Sequence, residues 1–319
     1  MKRLLAVLLV SFCGQTGLAQ DGADHSPAPA AAPSANVPVP ASSVSPGRNS
    51  PVTLALQALK ELEAVDAPKY CPDLAGNQEH SSSLAKVCEF VFNLRKRLSN
   101  IICDRQTKRY WTERSTLVGL GTESETADIQ RSDVVKVNVT YRDGQEYYSD
   151  VRLDGQPVPA NAPEVSGSWS HGEFATMLAG VFAPSSKTQF RYSKQTKLRS
   201  IPALVFDFKV ASQNNRLYYL QSRDKIWFPE YGGKIWVDAR TSSLLRLQLE
   251  TAHMPDHPTS RTKAEIEYSN LLLGDGTSMV LPTNSSALIC INNCTRSVTK
   301  FTHWHKFRAT TKIVVTPAN

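Results

Sequence analysis

From residue 134 onward, apolar side chains fall at every second position over long stretches. Val135, Val137, Val139 and Tyr141 share one side, while Lys136, Asn138 and Thr140 share the other. This is the period of a strand with one face buried. Asp143-Gly144 follows, a strong signal for a two-residue hairpin turn, and residues 146–153 read as the returning strand. The same period recurs in Leu204, Phe206, Phe208 and Val210, in Ile235 and Val237, and in Leu245, Leu247 and Leu249. Further strands are expected over 189–194, 217–220, 263–268, 278–281, 287–291 and 298–313. About ten half-buried strands joined by short turns predict one large antiparallel sheet. Alternating strand and helix units are absent, which argues against a doubly wound fold. The expected class is α+β, mainly β: a curved antiparallel sheet covered by helices.

Helical spacing appears in three places. Ser50-Pro51 is a good helix start, and Val52, Ala55, Leu56, Leu59 and Leu62 then keep to one face. A second helix is expected from about Ser83, with Leu84, Val87, Cys88, Val91 and Leu98 on its buried side. A third interrupts the strands over 170–183. There Ser170 and Glu173 form a capping box, Phe174, Met177, Leu178, Val181 and Phe182 make a wide apolar stripe, and Pro184 ends the run. A stripe of this kind is more often core than ligand box. Laid across a curved sheet, it could also line a lipid-sized cavity, so these five residues are the candidate ligand contacts.

The N-terminus changes the picture from fold to address. Met1-Lys2-Arg3, an apolar run over 4–12 and small residues ending at Ala19 read as a cleavable secretory signal over 1–19. The run is too short for a bilayer span, which needs about 20 residues. Phe12 ahead of Cys13 departs from the small residue that a bacterial lipid-anchor site requires. Residues 20–49, rich in Ala, Pro and Ser, read as a disordered tether. The division that follows is N-terminal helices over 50–100 and a sheet domain over 101–316, periplasmic or secreted, with no transmembrane span in the mature chain.

Composition adds two points. Apolar residues make up 41% of the chain, enough for a real core, and two of the +7 net charges belong to Lys2 and Arg3. Basic residues gather in segment 86–114: Lys86, Arg95, Lys96, Arg97, Arg105, Lys108, Arg109 and Arg114. Read as one face, they could meet an envelope protein or an anionic surface; nucleic acid is not expected of an exported chain without a binding module. Of six cysteines, five follow the signal. In an oxidising compartment disulfides are the first expectation. Cys290 and Cys294 flank a tight turn, and Cys71 and Cys88 bracket a loop and the start of a helix; one cysteine, Cys103 or another, is left over.

Residues that point to chemistry are few. No nucleophile elbow, phosphate loop or paired metal motif occurs, and no cofactor is implied. His303 and His305 flank Trp304 and share one face without a third ligand; His253 and His257 lie in a loop. Asp238 sits before a turn, where its carboxylate is expected to accept backbone N–H groups.

Several runs carry a resemblance. Residues 98–110 (LSNIICDRQTKRY), 148–157 (YSDVRLDGQP), 167–174 (GSWSHGEF), 203–208 (ALVFDF), 233–241 (GKIWVDART) and 244–247 (LLRL) are similar to a family of uncharacterised exported proteins common in acidobacteria. The 235–241 element also resembles a strand-turn-strand of periplasmic lipoprotein carriers and sorting factors, the LolA-like proteins. That resemblance implies a curved, incomplete antiparallel barrel covered by helices, holding acyl chains; the first family brings no assigned reaction, and the chain is not expected to be an enzyme. Three readings follow: a module binding lipid or acyl chains; a structural or interaction module of the envelope; or a hydrolase with an unfamiliar site.

Overall fold

The period-two segments pair with one another in order along the chain. The computed structural model describes residues 11–12, 61, 64–98, 100–112, 131–142, 145–158, 176–215, 220–222, 225–251, 261–290 and 294–307. Its elements are β1 (Ser11–Phe12), α1 (Ala67–Ala75), α2 (Ser81–Arg97), β2 (Ile101–Thr112), β3 (Arg131–Arg142), β4 (Gln145–Leu153), β5 (Gln156–Pro157) and α3 (Thr176–Phe182). These are followed by β6 (Gln189–Leu198), β7 (Ile201–Val210), β8 (Leu220–Ser222), β9 (Lys225–Trp227), β10 (Tyr231–Asp238), β11 (Leu244–Thr251), β12 (Arg261–Leu272), β13 (Ser278–Cys290) and β14 (Cys294–Lys306).

Eleven strands form one antiparallel sheet in the order β5-β4-β3-β2-β14-β13-β12-β11-β10-β7-β6. The sheet is open, with β5 and β6 at its edges. One meander runs outward from β2 to β5. The chain then reaches the far edge and returns as a second meander from β6 to β14, which closes against β2. Strands β1, β8 and β9 form a separate small sheet, in which β1 pairs parallel with β8.

The expected mainly-β class with an open antiparallel sheet holds, and the differences have local causes. In β11 the buried positions are Leu244, Leu247 and Leu249, not Leu245. The register shifts opposite Trp236 and Val237, which pair with Arg246 and Leu244; a bulged residue re-phases the strand. The separate strands expected over 278–281 and 287–291 are one strand, β13, and a second register shift lies opposite it in β12. Helix α1 was not expected. Pro68 lies in its first turn and Pro72 inside it, and prolines break the helical signal. Cys71 therefore lies within a helix rather than before a loop. Apart from residue 61, the helix expected around 52–62 lies outside the described residues, as do the Asp143-Gly144 turn, the Ser170/Glu173 capping box, Phe174 and most of 1–49.

Alternation sorts each strand into an inner and an outer face. The inner face carries Val135, Val137 and Val139 of β3, Phe206 and Phe208 of β7, Ile235 and Val237 of β10, and Leu247 and Ile266 beside them, all buried. Against it pack Leu84, Val87, Val91 and Leu94 of α2 and the residues of α3, forming one continuous core. The outer face carries cross-strand ion pairs. Arg246 contacts Glu267 (2.6 Å) and Glu265 (3.3 Å), and its guanidinium lies 5.5 Å from the Trp236 ring centroid.

Two cysteine pairs are bridged. Cys71–Cys88 joins α1 to α2, and Cys290–Cys294 joins the end of β13 to the start of β14, where the two residues are register partners. Cys103, buried, is outside both bridges. The first bridge closes 17 residues of chain, a length worth about 3 kcal/mol in unfolded-state entropy. Replacing Cys71 and Cys88 together by Ser is expected to lower unfolding free energy by about 2–4 kcal/mol in urea titrations, while Cys290→Ser with Cys294→Ser costs less because its loop is shorter.

Candidate functional site

The inner face is not uniformly apolar. Along β2 the inward positions begin as Ile101 and Cys103 and continue as Arg105, Thr107 and Arg109, all buried. Neighbouring strands continue the polar character. Arg109 faces Asp133 of β3 on one side and Ser297 of β14 on the other, and Thr107 faces Thr299, which faces Ser285 of β13. Thr295, Ser297, Thr299 and Ser285 are buried as well. A polar strip therefore crosses β3, β2, β14 and β13 on the side of the sheet that elsewhere forms the core.

Its centre is an ion pair. Arg109 donates from Nε to Asp133 Oδ1 at 2.7 Å and from Nη2 to Oδ2 at 2.6 Å, with side chains 1% and 7% exposed. This fork-on-fork geometry is the strongest form of such a pair. The Arg109 guanidinium also lies 5.1 Å from the Trp111 ring, and that of Arg105 lies 5.9 Å from the Phe301 ring. The hydroxyls of Thr107 and Thr299 bond each other at 2.9 Å.

These positions correct the single basic face expected of segment 86–114. Arg105 and Arg109 point inward and are buried, whereas Lys108 points outward and is exposed. The period of two in β2 divides the cluster. The signal was present: Ile101 and Cys103 fix the inward phase, and counting on by twos reaches both arginines. The phase of Val135 extended backward reaches Asp133.

From this strip the inner face runs through Ile266, Leu247, Ile235 and Phe206 in cross-strand register to Tyr192 of β6. Here α3 covers the sheet. Of the expected ligand contacts, Met177 is 6% exposed and Leu178, Val181 and Phe182 are fully buried. Phe182 stacks on Phe190 of β6, with centroids 5.2 Å apart. All residues from 177 to 183 are buried, so the helix is enclosed on every side, between the sheet and helices α1 and α2.

A buried helix end must find donors for its last carbonyls. Those of α3 are met in turn. Ala183 N–H donates to Ala179 O at 2.8 Å. Gly180 O accepts from Tyr231 Oη at 2.9 Å and Ser186 Oγ at 2.6 Å. Val181 O accepts from Thr188 Oγ1 and Phe182 O from Tyr70 Oη at 3.2 Å. The helix is thus fastened to β10, to α1 and to the turn after it. Burial pushes the Tyr70 phenol up to about 12.

The remaining candidates stand apart from this face. His303 contacts Asp104 at 2.8 Å on the outer side, and both it and His305 are exposed. Asp238 accepts from the N–H groups of Arg240 (2.8 Å) and Thr241 (3.0 Å). Its burial works against ionisation, but these amides hold its carboxyl below the usual value. Among the described residues no group of three His, Cys, Asp or Glu could hold a metal ion.

Known proteins offer a limited comparison. No family model and no curated protein matches the chain. Two solved structures are similar in fold. One is a LolA superfamily protein of Nitrosomonas europaea, 9% identical over 71% of this chain and 94% of that one, with a TM-score of 0.34. The other is a domain assigned to outer membrane lipoprotein sorting in Vibrio parahaemolyticus, 9% identical over 70% of this chain and 94% of that one, with a TM-score of 0.32.

Two outcomes test the site's construction. Asp133→Ala leaves a buried guanidinium without its carboxylate and should destabilise the protein by about 3–5 kcal/mol in chemical denaturation. The Tyr70 phenol ionises near 10.0 when unfolded and near 12 when folded. Its contribution is therefore complete below the lower value and lost as pH rises through the higher one. Tyr70→Phe should flatten the fall in stability measured between those two values.

Proposed function

We propose that this protein binds an amphipathic lipid or acyl chain against the inner face of its open sheet, in an oxidising compartment outside the cytoplasm. The observation that carries the reading is the composition of that face. Apolar rows under α3 adjoin a strip of buried arginine, aspartate and hydroxyl groups, matching a molecule with an apolar tail and a polar end. Ligand sites commonly combine an apolar lining with a few placed polar groups.

In this reading Met177, Leu178, Val181 and Phe182, with Phe174 at the start of the same stripe, form the apolar roof, and the Arg109–Asp133 strip meets the polar end. Two bridged cysteine pairs support the oxidising compartment. The signal at 1–19 and the tether at 20–49 supply the route there and the reach from an attachment point. No helix among the described residues is long and apolar enough to cross a membrane.

The test is native mass spectrometry of the full chain purified without detergent. Co-purified lipid is expected, as is uptake of a fluorescent fatty acid by protein stripped in organic solvent and refolded. Protein that carries no lipid and takes up no fatty acid overturns the reading.

A further inference from the structure

The outer face of the sheet is electrically divided. Over β6 to β12 most of its basic side chains are matched with acids, although Lys194 and Lys197 of β6 are exposed with no acid in ion-pair distance among the described residues. Arg191 (3.2 Å) and Lys234 (2.5 Å) share Asp207; Arg199 and Arg246 share Glu267; Lys209 meets Glu230 (2.9 Å), and Lys263 meets Glu250 (3.6 Å). Over β4, β3, β2 and β14 the balance differs. Arg152, Lys136, Lys108, Arg296 and Lys300 are all exposed. Arg152 contacts Asp150. Among the described residues no acid lies within ion-pair distance of Lys108, Lys136, Arg296 or Lys300.

Register gathers these residues. Lys136 faces Arg152 on one neighbour and Gln106 on the other, and Gln106 faces Lys300. Lys136 and Lys300 are therefore two strands apart, roughly 10 Å. Lys108, two positions beyond Gln106, faces Val298, itself 38% exposed, and Arg296 lies two positions beyond that valine. Like charges this close on a sheet repel and cost stability. A partner carrying negative charge would relieve them.

We infer that this outer face of β2, β3, β4 and β14 docks on an anionic phospholipid surface. A headgroup layer offers negative charge in any arrangement and suits cations spread over four strands around an exposed valine. An acidic protein would need an acid opposite each cation. The choice of a bilayer also rests on the lipid-binding reading, since such a protein must meet a membrane to load or unload. By strand alternation, docking uses the face opposite the proposed ligand.

The experiment is co-sedimentation of the full chain with phosphatidylcholine vesicles, with and without phosphatidylglycerol. Binding is expected only to the anionic vesicles and should disappear in high salt, where charge is screened within about 3 Å. Each basic residue near such a surface contributes about fivefold in affinity. The combined variant Lys108→Gln, Lys136→Gln, Arg296→Gln and Lys300→Gln should therefore lose about a few hundredfold. A control with Lys209→Gln and Lys263→Gln, from the matched half, should change little. These side chains are exposed, and thermal unfolding of the fourfold variant at or above the wild-type temperature, where the repulsion is relieved, will confirm its fold. Wild-type protein that ignores anionic vesicles overturns the inference, as does equal binding by the fourfold variant. Binding to a polyglutamate peptide but not to vesicles overturns it in favour of an acidic protein partner. Lipid retention is read by mass in the same preparations, so failure to dock and failure to hold lipid are separate results.

Discussion

The pairing of β2 with β14 holds this molecule together as one sheet. Without it, the meander from β2 to β5 and the meander from β6 to β14 would be separate sheets, each with an open edge at the seam. Thr107 and Thr299, bonded across this seam, are 192 residues apart in the chain. Contacts of that separation form late, because chain entropy opposes the closure until other contacts are in place.

The seam is also where the inner face turns polar. A buried Arg–Asp pair is a poor source of net stability, because desolvating both charges offsets much of their attraction. Its effect on register is clearer. A slip of β2 by one residue would exchange its two faces, placing Lys108 and Gln106 inside and leaving Asp133 buried without its arginine. The fork of Arg109 onto Asp133 penalises that slip heavily. Ser297 and Thr299 add small polar side chains that leave room beside the arginine. One patch thus aligns the joining strand and supplies polar groups on a face otherwise given to core.

Strands with an unbroken period of two were legible in the sequence; interruptions of that period were not. Val135 to Tyr141 announced β3 and its buried side. In β11 the same rule named Leu245, because a bulge opposite Trp236 is a feature of pairing between strands and leaves no mark in one strand. The helix α1 was hidden by Pro68 and Pro72, tolerated because the helix is short and packs on α2 beneath the Cys71–Cys88 bridge. Arg105 and Arg109 were misassigned for a different reason. Along the chain they adjoin Lys108, whereas in a strand adjacent residues belong to opposite environments. The stripe on α3 was legible as apolar. That it would be enclosed on every side was not, because its second layer comes from distant helices.

The covering helices are joined to one another as well as to the sheet. Cys71–Cys88 joins α1 to α2 covalently, and Tyr70 joins α1 to the end of α3. Towards the sheet the polar links among the described residues include Tyr231 to α3, Gln78 of the α1–α2 turn to the Tyr192 amide, and Ser83 to Ser242. Hydrogen bonds of this kind contribute about 1 kcal/mol each, so apolar contact supplies most of the adhesion between roof and sheet. An apolar ligand tail offers the same kind of contact to both surfaces. Replacing part of the roof–sheet interface by such a tail would therefore sacrifice little apolar burial, whereas a polar ligand would leave both surfaces unmatched. The way the roof is attached favours the same class of molecule as the composition of the face beneath it.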